Sequence, residues 1–379
     1  MDFSFSDEQL QLRDVVRRFC DQEYPAERRG TAVSAEVAAR RWRQMADMGL
    51  LGLPFDSACG GSGLSAVELM LVMEELGRSL ASEPYFATVA LGGALVAAAA
   101  SPAQAQALLP RVVSGELTLA LGFGEPDGRY ELLPVEAEAR PGSDGYRLNG
   151  HKTLVLNGDT ADMLLIVART AGAAHERDGV TLFLVDRKLH GVEVHGYSTL
   201  DGRRAADIVL RDACIPVDHV LGPVGEALPL LENVIERAVA ALCAEATGAL
   251  DALLALTVDY VKVRKQFGVP LATFQALQHR LVDMLIACEQ ARSMAVVAAM
   301  AIDDAGGDAA QRRRLVSAAK VQVGNAGRFV GQQAIQMHGA MGMTDECSVG
   351  HYVKRLMVIN QLFGDVQYHL RRFAQETAA

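Results

Sequence analysis

Apolar residues recur at helical spacing through the first third of the chain, give way to short β-like runs in the middle, and return to helical spacing from Leu228 onward. Ser6-Asp-Glu-Gln opens the first helix, with Ser6 as N-cap and Gln9 three residues on as its capping-box partner. Helical patterning continues, with interruptions, to about Leu109. The main break lies between Gly49 and Gly63, where Leu-Gly-Leu-Pro-Phe and Cys-Gly-Gly-Ser-Gly signal loop and turn. Val67 to Leu76 resumes the spacing and is expected to end at Gly77. Residues 1–115 therefore read as an N-terminal α-helical domain.

From Glu116 the pattern changes. Leu117 to Phe123 is a short apolar run followed by Glu-Pro-Asp-Gly turn chemistry, and Tyr146 to Leu148, Leu154 to Leu156, Met163 to Ala168, Val180 to Val185 and Ile208 to Leu210 are strand candidates. Asn149-Gly150, Asn157-Gly158 and Asp201-Gly202 between them are read as turns. Residues 116–223 thus form a middle antiparallel β domain, ending near Gly222-Pro223. Residues 224–379 form a C-terminal helical bundle domain, in which Leu281, Met284, Leu285 and Cys288 make one buried stripe and Arg312 to Val330 a long amphipathic segment. The fold class is α+β: an N-terminal helical domain, a middle β domain and a C-terminal four-helix bundle.

Composition narrows the class. With 379 residues, half of them hydrophobic and 22% charged, the chain can build a sizeable core. A net charge of −10 argues against a nucleic-acid partner, which wants a basic face, but leaves room for an anionic small ligand held by a few arginines. The six cysteines are scattered, without a C-x-x-C pair or metal spacing, and read as reduced structural thiols; no metal site is expected. The acidic start, Met1 to Asp7, lacks the features of a secretory signal, and the apolar stretch Val89 to Ala100 is too short to span a bilayer. A soluble, cytoplasmic protein without a membrane span is the expectation.

No G-x-G-x-x-G lies between a strand and a helix, and Walker, G-x-S-x-G and H-E-x-x-H patterns are missing. Longer segments carry more. Tyr260-Val-Lys-Val-Arg264-Lys-Gln-Phe267-Gly268, Phe274-Gln275 and Gln278 to Met284 resemble the C-terminal signature of acyl-CoA dehydrogenases. Ile335-Gln336-Met337-His338-Gly339-Ala340-Met341-Gly342 resembles that family's second flavin segment. Asn149-Gly150-His-Lys152 and Asp207 to Gly222 match its β domain; Pro54 to Gly63 and Glu74 to Arg78 match its N-terminal half.

The resemblance implies an FAD-dependent α,β-dehydrogenation of an acyl-CoA thioester, in which a carboxylate takes the α proton and flavin N5 the β hydride. It implies Arg264, Gln266, Phe267, Gln275, Gln336, Gly339, Phe123 and Leu156 as cofactor-binding positions. Arg264 would pair with the pyrophosphate, a task suited to a planar guanidinium. The implied partners are an acyl-CoA, an electron-transfer flavoprotein or similar acceptor, and further chains, as a homo-oligomer or as a heterotetramer with a second acyl-CoA dehydrogenase chain.

The sequence departs from the family at the base. Gly364, in Leu362-Phe363-Gly364-Asp365, stands where the glutamate is expected, and Ala238 stands at the alternative position used by isovaleryl-CoA dehydrogenase. The nearby acids are Glu236, read as a solvated helix-face charge, Glu245 and Asp365. Glu245, seven residues beyond Ala238, returns to nearly the same helix face about 10 Å further on. Glu245 and Asp365 are the competing candidates for the base, a buried structural ion pair being the other reading of Glu245. The Thr-Glu-Pro…Gly-Ser-Asp segment is reduced to Gly124 to Arg129, and Leu156 replaces a threonine whose hydroxyl would bond the isoalloxazine. Two readings follow: a self-sufficient dehydrogenase with a displaced base, or a partner subunit of an α2β2 enzyme, as the small subunit of pimeloyl-CoA dehydrogenase and the actinobacterial steroid side-chain enzymes suggest. An oxidase on the same fold would differ in oxygen access.

Overall fold

The computed structural model describes residues 4–25, 29, 33–304 and 306–378. The first three residues, part of the stretch read as lacking a signal, lie outside them. The chain divides into two compact units: residues 1–33, 65–82 and 239–379 form one, residues 34–64 and 83–238 the other. Three consecutive segments by sequence pattern are thus two units by packing.

In the first unit, α1 (Asp7–Glu23) starts at Ser6 with both capping-box bonds present, as its sequence predicts. It packs on α3 (Ala66–Ser79), which in turn meets α7 (Gln275–Asp303). The long α6 (Ala227–Val263) supplies residues from Val239 onward to this unit. Helix α3 does not end at Gly77 but runs through it. A Cβ on Gly77 would collide with the Glu245 carbonyl of α6, and one on Gly248 of α6 with the Glu74 carbonyl of α3. The glycines serve a reciprocal close crossing, not a helix stop. Arg292 of α7 ties the crossing by bonding both Glu74 and Asp251. Helix α8 (Ala309–His338) contacts α7, α9 (Ser348–Gln361) and α10 (Val366–Ala378). The expected α7 stripe holds at Met284 and Cys288, which are buried, and fails at Leu285, which is 47% exposed. Val282 and Ile286 share that exposed apolar surface. By length and apolar composition α6 and α7 each suffice to cross a membrane, a stronger signal than Val89 to Ala100; most of the α6 window is buried in protein.

The second unit holds α2 (Ala35–Asp47), α4 (Ala94–Ala99) continuing a π-helical stretch at Phe86–Gly93, α5 (Pro102–Val113), and an eight-stranded sheet. The strands are β1 (Leu119–Gly122), β2 (Glu138–Gly142), β3 (Gly145–Leu156), β4 (Met163–Arg169), β5 (Val180–Asp186), β6 (Val192–Ser198), β7 (Arg204–Ile215) and β8 (Val220–Leu221). Their order is β6-β7-β3-β2-β4-β5-β8, with β1 beside β4. Most pairs are antiparallel, as expected, while β1–β4 and β2–β4 run parallel. Inward residues such as Leu148, Val155, Ile166, Phe183 and Ile208 build its core. Asn149-Gly150 is not a turn: two strand candidates merge into β3, and a register shift falls there. Gly150 leaves the room that Ala137 needs, since a Cβ would lie 2.7 Å from the Ala137 Cα.

Candidate functional site

The two acids proposed as base lie in the first unit, and each is already engaged. Glu245, 1% exposed, meets Arg355 of α9 in a two-pronged pair, Nε to Oε1 at 2.8 Å and Nη2 to Oε2 at 2.7 Å. Both carboxylate oxygens are held by one guanidinium, the geometry that best offsets the loss of water around two charges. Asp365 precedes α10, and its Oδ1 accepts the Tyr368 amide at 2.8 Å, so it caps that helix. Glu236, in the second unit, is buried rather than solvated and is not an isolated charge; α6 turns it inward at that point. Ala238 is fully buried and brings no functional group.

Gly364 occupies a turn built around a glycine. Its φ is +114° and that of the preceding Phe363 is +57°. A Cβ at 364 would overlap the Tyr368 ring and lie 2.8 Å from His369 Nε2. A glutamate therefore does not fit this turn as it stands. The turn's carbonyls face inward: Lys320 of α8 donates to Asn360 O at 3.2 Å, Leu362 O at 2.9 Å and Gly364 O at 2.7 Å. His369 Nε2 faces Phe363 O at 3.1 Å, and its Nδ1 faces the Ser317 hydroxyl at 3.2 Å. Burial pushes the Lys320 ammonium down to about 8 and, with the nearby Lys320 charge, the His369 ring down to about 3. Arg355, Lys320 and His369 were not singled out by sequence. Lys320 stands in Ser317-Ala-Ala-Lys-Val, a lone cation among small apolar residues, which is the one signal available.

Elsewhere in the first unit, the candidate flavin residues gather on two chain reversals. Arg264 follows directly on α6, and β9 (Lys265–Gln266) pairs with β10 (Val269–Pro270) across Phe267-Gly268. Phe267 is 91% exposed, lies edge-on to Phe274 with centroids 6.1 Å apart, and holds a positive φ of +55°. Arg264 is exposed and makes no ion pair among the described residues. Gln266 and Gln275 are also exposed. At the end of α8, His338 stacks on Tyr260 at 4.2 Å, fixing that terminus, while Gln336 and Gly339 face outward. Gly339, with φ +61° and ψ −140°, adopts a backbone that only glycine takes readily.

In the second unit, Phe123 is half-buried at the end of β1 and Leu156 half-buried at the end of β3. The loop between Phe123 and Val135 is pinned by Glu125, whose carboxylate accepts the amides of Glu136 and Ala137 and bonds the fully buried Lys152. Beside Leu156, the buried Asn157 Nδ2 has no hydrogen-bond partner among the described residues. It is a donor one residue from the place where the threonine hydroxyl is lost.

Three families of domain match in order: the acyl-CoA dehydrogenase N-terminal domain over residues 6–116, the middle domain over 120–213 and the C-terminal domain over 230–377. The mitochondrial isovaleryl-CoA dehydrogenase of Pongo abelii is 30% identical over 298 residues, 75% of this chain and 70% of that protein. Among solved structures, the FAD complex of PigA superposes with a TM-score of 0.90 at 26% identity, covering 100% and 99% of the two chains. The ChsE4-ChsE5 complex from Mycobacterium tuberculosis does so at 0.87 and 25%, covering 100% and 99%. The chain belongs to the acyl-CoA dehydrogenase family, FAD-dependent oxidoreductases acting on CH–CH bonds. Its helical N-terminal, sheet-containing middle and helical C-terminal regions are that family's fold.

Proposed function

We propose that this chain serves the α,β-dehydrogenation of an acyl-CoA as one member of a mixed assembly, in which a second chain of the family supplies the base. The observation that carries the reading is the Gly364 turn, whose backbone and neighbours leave no room for the family's glutamate. Glu245 and Asp365 add to it, because each is committed, one to Arg355 and the other to the start of α10. The self-sufficient alternative would need Glu245 to leave Arg355 before it could accept a proton, or Asp365 to act through the oxygen that the Tyr368 amide does not hold. The similarity to the ChsE4-ChsE5 complex, by its name an assembly of two proteins, points the same way.

The residues present fit an FAD held partly by this chain. The exposed Arg264 and Phe267 offer a guanidinium for a diphosphate and an aromatic face beside it, and Gln266, Gln275, Gln336 and Gly339 would complete that surface. Phe123, Leu156 and Asn157 Nδ2, which has no partner among the described residues, would line the cofactor in the second unit. Bound flavin supplies the hydride acceptor; this chain's contribution is to hold and orient. The uncovered apolar surface of α7 at Val282, Leu285 and Ile286 suits contact with another chain.

The test is the visible spectrum and FAD stoichiometry of the chain purified alone and co-expressed with a family member carrying the glutamate. An acyl-CoA panel is then added under argon. Bleaching only in the mixed preparation is the expected result. Bleaching by the chain alone would establish a self-sufficient dehydrogenase and overturn the proposal. Hydrogen peroxide without an added acceptor would mark an oxidase.

A further inference from the structure

Strand β3 is irregular near its C-terminal end. It pairs Lys152 with Ile208 of β7 and next Val155 with Ala206, so Thr153 and Leu154 together stand against Asp207 alone. Two residues against one make a β-bulge, which re-aims the side chains it carries. Both amides freed from the ladder are taken up. Thr153 N donates to Gly124 O at 2.8 Å, in the loop that follows Phe123, and Leu154 N donates to Asp207 Oδ1 at 3.2 Å. Asp207 Oδ1 also accepts the Tyr197 hydroxyl of β6 at 3.1 Å. Leu154 is thereby held at φ +51°, a backbone region that leucine avoids, and stands 47% exposed. Beyond the bulge the register fixes a row. Leu156 lies opposite Ala205 and Ala205 opposite Tyr197, and residues directly opposed in a ladder share a face. That face is the outer one, since the alternate residues Val155 and Ala206 belong to the core. Ala205 is fully buried and brings only a methyl, which leaves Leu156 and the 37%-exposed Tyr197 to form the surface.

We propose that Tyr197 is a further residue of the flavin site: Leu154, Leu156 and Tyr197 form an apolar shelf for the isoalloxazine, and Asp207 is the positioning residue that ties the Leu154 bulge to the Tyr197 hydroxyl. The inference rests on the reading that Phe123 and Leu156 line the cofactor. A flat ring is held by contact across its face as well as by hydrogen bonds at its edge. This chain, with leucine at 156, lacks one edge hydroxyl, and the shelf supplies contact area instead. Tyr197 stands two strands from Leu156 in the same row, which at the spacing of neighbouring strands is about 10 Å, about the length of the three fused rings. Burial and the Asp207 charge push the Tyr197 phenol up to about 12, so its hydroxyl remains a donor to the carboxylate.

The experiment compares Tyr197→Phe, Tyr197→Ala and Asp207→Ala with the parent, each as the full chain in the preparation that retains FAD. Emission of the bound flavin, the Kd for FAD and amide exchange over residues 153–156 are read together. A phenol touching an excited isoalloxazine quenches its emission by lending it an electron that then returns; a phenyl ring does not. Tyr197→Phe is therefore expected to brighten the bound flavin while holding Kd within about threefold, since the ring area stays. Tyr197→Ala should brighten it too and raise Kd by about three- to tenfold, the worth of one aromatic contact. Asp207→Ala should speed exchange of the Leu154 amide and raise Kd by a similar factor, since two hydrogen bonds are lost. Unchanged emission in Tyr197→Phe, or unchanged Kd in Tyr197→Ala, overturns the contact. Faster exchange with unchanged Kd in Asp207→Ala leaves that residue a purely structural role and overturns its positioning. Should either alanine variant fail to fold, emission from Tyr197→Phe, which removes a single hydroxyl, decides by itself. A parent that retains FAD in neither preparation overturns this proposal together with the cofactor surface. Bleaching by the chain alone overturns only the mixed assembly, and the variants are then compared in the single chain.

Discussion

Glu245 and Arg355 hold each other where neither has water to fall back on. Removing one partner strands a charge, whereas removing both leaves an apolar gap. Arg355→Met is expected to lower unfolding free energy by about 3–5 kcal/mol, and the double change Glu245→Leu with Arg355→Met by clearly less. Urea midpoints of the isolated chain would show it. A catalytic Glu245 predicts something else: Glu245→Gln would abolish turnover with the midpoint little changed. His369 gives a second prediction, in pH. Its folded pKa of about 3 lies below the ordinary 6.5, so between those values the unfolded chain binds a proton that the folded chain refuses. Its contribution to stability is therefore intact above about pH 6.5 and is lost as pH falls through that window, with a slope of at most about 1.4 kcal/mol per pH unit. Denaturation midpoints at pH 7, 6 and 5 should fall less steeply in His369→Gln than in the parent protein.

Helix ends and crossings show what can be read without coordinates. The capping box at Ser6 and Gln9 was legible because its two bonds depend only on neighbours three apart. Asp365 has the same kind of role, yet its place beside the missing glutamate drew attention to chemistry. Asp365→Ala should cost about 1 kcal/mol through the loss of the α10 cap, while Asp365→Asn, which keeps an acceptor, should cost only a few tenths. Thermal melts of both variants decide this, since a base would tolerate neither change in activity assays of the assembled enzyme. Gly77 and Asn149-Gly150 misled for one reason: glycine marks a turn or a close approach with equal force, and only the element packed against it tells which. Leu285 misled because helical periodicity finds an apolar face without saying whether this chain or another covers it. Lys320 and Arg355 were hidden more deeply, as a buried cation and a solvated one look alike until their acceptors, about forty or more positions away, are placed.

At the scale of the whole molecule, family and fold were legible from long ordered segments, while the exposure of the residues taken for the cofactor surface was not. Phe267 illustrates this. At 91% exposure it contributes little to the stability of the chain by itself, and Phe267→Ala should shift its unfolding free energy by no more than about 0.5 kcal/mol. In the mixed assembly proposed above, the same change should lower FAD retention during gel filtration. Equal retention by variant and parent would remove Phe267 from the cofactor surface.

The Gly364 turn also bears on descent. A mutation restoring glutamate there would set a side chain against the Tyr368 ring, on a backbone with φ +114°, so the fold would be damaged before any proton could be moved. Reversion must wait until Tyr368 and the start of α10 have given way, and neither change is useful alone. On the proposed reading the loss works as a ratchet: reliance on a second chain would be kept in place by packing and need not be maintained by selection for partnership itself.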